Sequence, residues 1–369
     1  MKGNENMVKV LLVSGISGNG GTQTWTREYL KSYDSDRFKL VHVNMSARRG
    51  LIPEASLLKR IFDGLLDLRD VYVDVRTALR SHDIRIMHAA TSGSLGTLRD
   101  YLLAKVAKRF KVKCVLHCHY GCIAEDLSKG GLLSKLLKSA IKLYDEVWVL
   151  DTKSKNFLNS MPEYSGKVHV APNFIETPRS LAIEPKLYTR VAFVGNIVPT
   201  KGVFELIEAI KDLPNTQLLL VGPAEKDVQK HINSLINGIE STRVQMLGRL
   251  PNEEAVSLMS NVDIVALPTY YPWEAFPISI LEAMSRGALV LSCARSAIPD
   301  MLTSIDGTLC GIIVPPQSSQ AIKDAIIWCQ ENSHLADQLR EKAYTKVSHC
   351  YTKEIVFNKY TSLYSLLID

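Results

Sequence analysis

VAFVGNIVPTKGVFELIEAI, residues 191–210, opens on four apolar residues, turns at Gly195 and resumes with Val203, Leu206, Ile207 and Ile210 at three- and four-residue steps. A buried strand feeding a glycine turn and then an amphipathic helix is the unit from which parallel sheets are built. The N-terminal region repeats it in VKVLLVSGISGNGGTQTWTREYL, residues 8–30. Outward from these two stretches, strand patterns at 8–14, 39–44, 84–88, 113–119, 146–150 and 167–170 alternate with helical stretches such as 22–32 and 96–110. A second series at 191–194, 216–221, 243–247, 263–266, 289–292 and 311–314 alternates with helices at 202–211, 228–239, 252–259 and 278–285. The alternation predicts an α/β fold of two Rossmann-like, doubly wound parallel-sheet domains. Segment 172–189 carries Pro172, Pro178 and Pro185 without periodicity and reads as the linker, so the domains are expected over 1–180 and 181–350. Ligands in such sheets bind beyond the carboxyl ends of the strands, so tandem domains are expected to face a central cleft with functional residues just after strands.

The chain has 369 residues, 46% hydrophobic and 22% charged, enough for two buried cores. It contains no uncharged apolar run long enough to cross a bilayer, and the short apolar segment near the N-terminus lacks a signal-peptide cleavage pattern. Seven scattered cysteines fit a reduced enzyme, and a cytoplasmic location is expected. Cys114, His117, Cys118, His119 and Cys122 lie close in sequence. On a strand, Cys114 and Cys118 share one face while His117 and His119 share the other, so no metal site is expected there. The net charge of +6 is uneven: bases exceed acids by ten through residue 180, whereas acids exceed bases by four beyond it. A basic first half points to an anionic partner, either a membrane surface or a lipid-pyrophosphate. The aromatic–basic interleaving of a nucleic-acid platform is missing, so nucleic acid is not expected.

Candidate site residues cluster after strands. Gly15, Gly18, Gly20 and Gly21 precede a helix and would let backbone amides approach an anion, although a mobile strand–helix turn has the same composition. A nicotinamide fingerprint fails, because Gln23 stands where its third glycine belongs and Asn44–Met45 close the second strand without an acid. In the second domain Gly195 and Asn196 follow a strand and Lys201 sits before the next helix, placed for phosphate contact rather than ordinary solvation. The stretch LPTYYPWEAFPISILEAMSRG, residues 267–287, sets Glu274 and Glu282 on either side of a helix start at Pro277. Amides around Phe276, Pro277, Ile278, Ser279 and Ile280 would offer orphan donors to a diphosphate. Glu282 would reach a ribose diol and Glu274 a sugar ring, and the loops at Arg249–Leu250 and 270–273 would read base and sugar.

These parts, in this order, resemble glycosyltransferase family 4, the group 1 glycosyl transferases of the GT-B fold. The resemblance covers essentially the whole chain and is densest over 191–316, where VGNIVPTKG, LLLVGPA, LGRLPNEEA, EAFPISILEAMSRG and IPDML follow one another. It implies that Lys201 clamps the donor diphosphate, Glu282 holds the ribose, and Glu274 is the first glutamate of the E-x7-E pair, against the transferred sugar. It implies further that Gly20 and Gly21 lie beside the phosphate, that His119 ends the fourth strand beside the donor sugar, and that a helix over about 351–369 crosses back to the first domain. PNF at 172–174 is similar to the family's PNG linker motif. Asn196 stands where the family usually has Arg, Ala275 where it has Gly, and Asp300 where it has Glu.

The activity implied is a metal-independent, retaining transfer from a UDP- or GDP-sugar to a glycan or polyprenyl-pyrophosphate-linked acceptor, as in surface polysaccharide synthesis, with no cofactor beyond the sugar nucleotide. No carboxylate is clearly placed as a nucleophile, which favours front-face substitution. A non-catalytic nucleotide- or glycan-binding relative, a sugar-nucleotide epimerase and a dinucleotide oxidoreductase are the competing classes. In KGGLLSKLLKSAIKLYDE, residues 129–146, Leu132, Leu133, Leu136, Leu137, Ala140, Ile141 and Tyr144 form one helical face and Lys135, Lys138 and Lys142 the other. This is either a domain-covering helix with solvated lysines or a peripheral attachment to the inner face of a membrane.

Overall fold

The computed structural model describes residues 7–18, 20–49, 56–93, 96–178 and 184–369. The chain divides into two compact units, Met1–Asn173 with Val356–Asp369, and Phe174–Ile355. The first holds a six-stranded, wholly parallel sheet of β1 (Val8–Ser14), β2 (Phe38–Asn44), β3 (Ile84–Thr91), β4 (Lys113–Cys118), β5 (Glu146–Val149) and β6 (Val168–Val170). Their order is β2-β1-β3-β4-β5-β6. The second holds β7 (Arg190–Val194), β8 (Gln217–Val221), β9 (Val244–Gly248), β10 (Ile264–Leu267), β11 (Leu289–Cys293) and β12 (Ile312–Val314), also all parallel, in the order β12-β11-β10-β7-β8-β9.

Both sheets are doubly wound. Strand order reverses between β1 and β3 in the first unit and between β7 and β10 in the second, and a crevice opens at such a point outside the carboxyl ends. Helices on both faces explain why the strands read as continuous apolar runs rather than alternating ones: β5 and β11 are buried at every residue.

One face of the first sheet packs Leu11, Val13, Met87, Ala89, Cys114, Leu116, Cys118 and Tyr144 into an apolar core. The opposite face is aromatic. Helix Gly21–Ser32 buries Trp25 and Tyr29, and the last helix, Lys353–Leu366, buries Tyr360 and Tyr364 against Trp148, His88 and His117. Cysteines and histidines of β4 thus separate onto opposite faces. The longest helix of the first unit, Leu57–Ser81, is not among those read from the sequence. Among the described residues no helix is long and apolar enough to cross a membrane.

Candidate functional site

In the second unit the site is built at the switch between β7 and β10. After β7 the chain turns at Gly195 (φ +149°), and a Cβ on Gly222 (φ +142°) would run into the Gly195 carbonyl, so the loops after β7 and β8 touch backbone to backbone. Ile197 locks this loop, its N–H donating to Pro223 O at 2.9 Å. A 3-10 turn, Pro199–Lys201, ends at left-handed Gly202 (φ +77°), where a Cβ would strike the Pro268 carbonyl at the end of β10. Only glycine lets the turn press this closely on the sheet. The packing carries Lys201 Nζ to 3.9 Å from where a Gly195 Cβ would stand and to 3.2 Å from Glu274 Oε2. Both side chains are largely buried, at 17% and 10% exposure, so this ion pair lies in a weakly screened environment.

Glu274 is held from every side. Thr269 Oγ1 donates to Glu274 Oε2 at 3.3 Å and accepts from Tyr271 N at 3.2 Å. Ser296 Oγ donates to Glu274 O at 2.6 Å, Ala297 N donates to Ala275 O at 3.1 Å, and Arg295 bonds the Pro272 carbonyl. Helix Ile278–Ser285 then begins behind Pro277, whose side chain offers no acceptor for the first-turn amides, and no acid occupies that turn. The amides of Ile278 and Ser279 at its amino end are therefore suited to an anion, whereas Ile280 N, expected to join them, already donates to Pro277 O at 3.1 Å. Phe276 is buried and stacks edge-on with Tyr351, fixing the approach to the helix.

Glu282, one turn in, is partly buried, and burial raises its carboxyl above the ordinary range against the opposing effects of Asn252 and Arg286. Asn252 Nδ2 donates to Glu282 Oε1 at 3.3 Å. Asn252 opens a helix just after exposed Arg249 and half-buried Leu250, so this loop is tied to Glu282. Asn196 is exposed. Thr269, Ser296 and Asn252 escaped the sequence reading. Ser296 and Asn252 act from distant loops and Thr269 from five residues before Glu274, and only the short polar stretch after each strand could have hinted at them.

In the first unit, Gly20 caps helix Gly21–Ser32 without a side-chain bond, and both glycines are exposed. The loop before them is shaped by other residues. Ser46 Oγ accepts from Ile16 N and Ser17 N at 2.9 Å each, Asn44 Oδ1 accepts from Ser46 N at 2.9 Å, and Arg27 bonds the carbonyls of Ile16 and Gly18. Asn44, noted in the sequence only for not being acidic, thus organises the glycine loop.

His119 follows β4, its N–H bonded to Thr91 O at 2.7 Å. Its buried ring lies 4.4 Å from Trp25 and 4.0 Å from His117, and neither ring nitrogen has a hydrogen-bond partner among the described residues. Burial, followed by the neighbouring His117 and His88, pushes its pKa well below the usual value. A buried neutral imidazole with both polar atoms unspent is a group that a bound water or a ligand hydroxyl would satisfy.

Residues 177–346 match the family model for glycosyl transferases group 1. Among relatives, the chain is 24% identical to the uncharacterized glycosyltransferase MJ1069 of Methanocaldococcus jannaschii, over 78% of this chain and 76% of that one. It is 26% identical to the D-rhamnosyltransferase WbpZ of Pseudomonas aeruginosa, over 43% and 41% respectively. Apart from MJ1069, the chain spans about half the length of the curated relatives it matches. Solved structures with the same architecture include Anabaena Alr3699/HepE in complex with UDP and glucose, with a TM-score of 0.71 and 19% identity over 97% of this chain and 100% of that one. Another is sucrose-phosphate synthase from Thermosynechococcus elongatus, with a TM-score of 0.74 and 17% identity over 98% and 99%. Over residues 177–346, most of the second unit, the chain matches the group 1 glycosyl transferases, and the fold is that of the GT-B glycosyltransferases.

Proposed function

We propose that this protein is a retaining glycosyltransferase that takes a sugar from a nucleoside diphosphate sugar, UDP- or GDP-linked, and passes it to a glycan or lipid-linked acceptor in polysaccharide-type biosynthesis. The observation that carries the reading is the Lys201–Glu274 pair, 3.2 Å apart at the switch point of a Rossmann sheet and followed by an uncapped helix amino end. As the sugar–phosphate bond breaks, positive charge develops at the anomeric carbon and negative charge on the departing diphosphate. Lys201 and the amides of Ile278 and Ser279 answer the second charge, and Glu274 lies ready to orient the sugar. Glu282 accepts from the ribose; in the first unit, taken by itself, neutral His119 is suited to a hydroxyl group. Front-face substitution, with the diphosphate oxygen taking the acceptor proton, needs no further base. Charge neutralisation by ammonium and amides fills the role a divalent cation has in other transferases, so turnover is expected to persist in EDTA.

The Anabaena protein solved with UDP and glucose supports a UDP-sugar as the first donor to try. A thermal-shift screen of UDP, GDP, ADP and their sugars identifies the donor, since ligand binding raises apparent stability according to affinity. Nucleotide release and the anomeric configuration of the product then test transfer and retention. A screen in which no nucleotide raises the melting temperature would remove this reading. Asn196, an exposed amide where relatives of this family usually carry an arginine, favours one alternative, a non-catalytic binder. That protein would bind nucleotide without releasing it from its sugar. The reading puts the enzyme in the cytoplasm, working at the inner face of a membrane that holds its acceptor, with the lysine-bearing helix Gly131–Leu143 turned toward the lipid.

A further inference from the structure

Helix Leu57–Ser81 is packed over only part of its length. Val71, Val75, Ala78 and Leu79 are buried in the core of the first unit, whereas the first two turns are largely exposed. On that overhang Leu58 is 80% exposed, Phe62 61%, Leu65 56% and Ile61 52%. At 100° per residue these four fall within one arc of about 100°, a continuous apolar stripe. The tip is a formed helix, with Ser56 Oγ accepting from Lys59 N at 3.3 Å and Ser56 O from Arg60 N at 3.1 Å.

Its charges are sorted. The acids further along, Asp67, Asp70 and Asp74, are taken up by Arg49 and Arg48. Lys59, exposed next to the stripe, and Arg60, exposed on the far side of the helix, form no ion pair with a described residue. Among the described residues of this tip, the acid that opposes them is half-buried Asp63.

A second apolar tip lies in the same helix layer. Leu132 and Leu133, 83% and 51% exposed, open helix Gly131–Leu143, presented by the left-handed pair Gly130 and Gly131, with exposed Lys135 and Lys138 just behind. Helices Leu57–Ser81 and Gly131–Leu143 both pack against helix Gly96–Arg109. Each leads back to the start of the next parallel strand, so their amino ends lie on one rim, the carboxyl-end rim of the first sheet. Gly20, Gly21 and His119 share that rim.

We infer that these two tips are a two-point anchor that inserts into the surface of an anionic bilayer, with Leu58, Ile61, Phe62 and Leu65 as the main wedge and Leu132–Leu133 as the second. Apolar wedges with exposed lysines beside them, Lys59 at the first tip and Lys135 and Lys138 at the second, match lipid tails below and acidic headgroups above. The anchor would bring the functional rim of the first unit to the membrane, where a lipid-linked acceptor presents its polar end. In that respect it rests on the transferase reading.

The test is co-sedimentation of the full chain with vesicles of phosphatidylcholine alone and of phosphatidylcholine with phosphatidylglycerol, at low and high salt. The wild type is expected to bind the anionic vesicles, less so as salt rises, and the neutral ones weakly. Leu58→Glu/Phe62→Glu is expected to lower that affinity about tenfold or more, and Leu132→Glu by a smaller factor. Both variants should keep the wild-type melting temperature, because the altered positions are exposed, and the same nucleotide-induced shift. Absence of vesicle binding, equal binding by variant and wild type, or a dimer of this chain that the double variant abolishes would each overturn the anchor. Loss of the nucleotide shift in the wild type would instead count against the donor reading and leave the vesicle result standing.

Discussion

At the level of single residues, Lys201 does two jobs that mutation can separate. It is the counter-charge of a largely buried carboxylate and, on the proposed reading, the cation that meets the donor diphosphate. Lys201→Ala is expected to lower turnover by roughly two to three decades. It should also lower stability by about 3 kcal/mol, because Glu274 is left without its cation. Adding Glu274→Gln to that background should recover most of the stability, measured by urea unfolding, and none of the activity. A double variant as unstable as the single one would show that the pair is not what holds this loop. Glu274→Ala alone is expected to abolish transfer with the fold intact. Glu282 adds a pH signature. Burial holds its carboxyl above the ordinary range, so on acidification it protonates earlier than an exposed glutamate. Nucleotide affinity should therefore weaken at a higher pH than for a solvated carboxylate, and Glu282→Gln should remove the dependence in a titration of Kd against pH.

At the level of elements, glycines that look alike in the sequence differ in what they support. Gly202 sits at φ +77° with the Pro268 carbonyl where its Cβ would be, whereas Gly21 opens a helix with nothing within 4 Å of that position. Gly202→Ala is expected to cost about 2 kcal/mol or more and to displace Lys201, through backbone strain and collision together. Gly21→Ala should leave the melting temperature unchanged and act only where a ligand approaches the helix end. Calorimetry of the two variants separates them, and equal melting temperatures would contradict the assignment of the Pro199–Gly202 turn as a close-packed support. The strands of the second unit and three of its helices could be read to within a residue or two, since buried parallel strands are unbroken apolar runs and helices such as Ile278–Ser285 carry proline and glycine at their ends, whereas the helices Ser319–Glu331 and Ser333–Cys350 were not among those read. Helix Leu57–Ser81 was not legible. Its amino half shows apolar residues to solvent, so its pattern does not report one buried face.

Across the first unit as a whole, a hydrogen-bonded chain ties the last helix to the sheet. Ala171 O can only accept, so His117 Nε2 carries the proton in their 3.0 Å bond. His117 Nδ1 then accepts from His88 Nε2 at 3.2 Å, and His88 Nδ1 accepts from the Tyr364 hydroxyl, which is left to accept from Tyr29 at 3.1 Å. Every member is buried, and the order works only with both imidazoles neutral. Burial pushes His117 down to about 3 and His88 and His119 well below their usual value. A histidine with a depressed folded pKa takes up its proton in the unfolded chain first, so its contribution is complete above about pH 6.5 and is lost as pH falls below it. Each of the three should cost about 1.4 kcal/mol per pH unit in that window. Urea unfolding followed by fluorescence of buried Trp25 and Trp148 should show a steep loss of stability from about pH 6.5 to about pH 5. His88→Gln, which donates and accepts without titrating, should flatten the slope, and a pH-independent midpoint in the wild type would refute the neutral chain.

The amino-acid sequence by itself determined the α/β alternation, the two Rossmann-like halves and the residues standing after each strand, because strand and helix periodicities and glycine turns are local properties. The neutrality of the histidine chain, the contact between Lys201 and Glu274, the backbone collision that reserves position 202 for glycine, and the uncovered tip at Leu58–Leu65 were decided only in the tertiary structure. Each depends on which distant segments the sheets bring together, and burial and proximity, unlike periodicity, are not carried by neighbours along the chain.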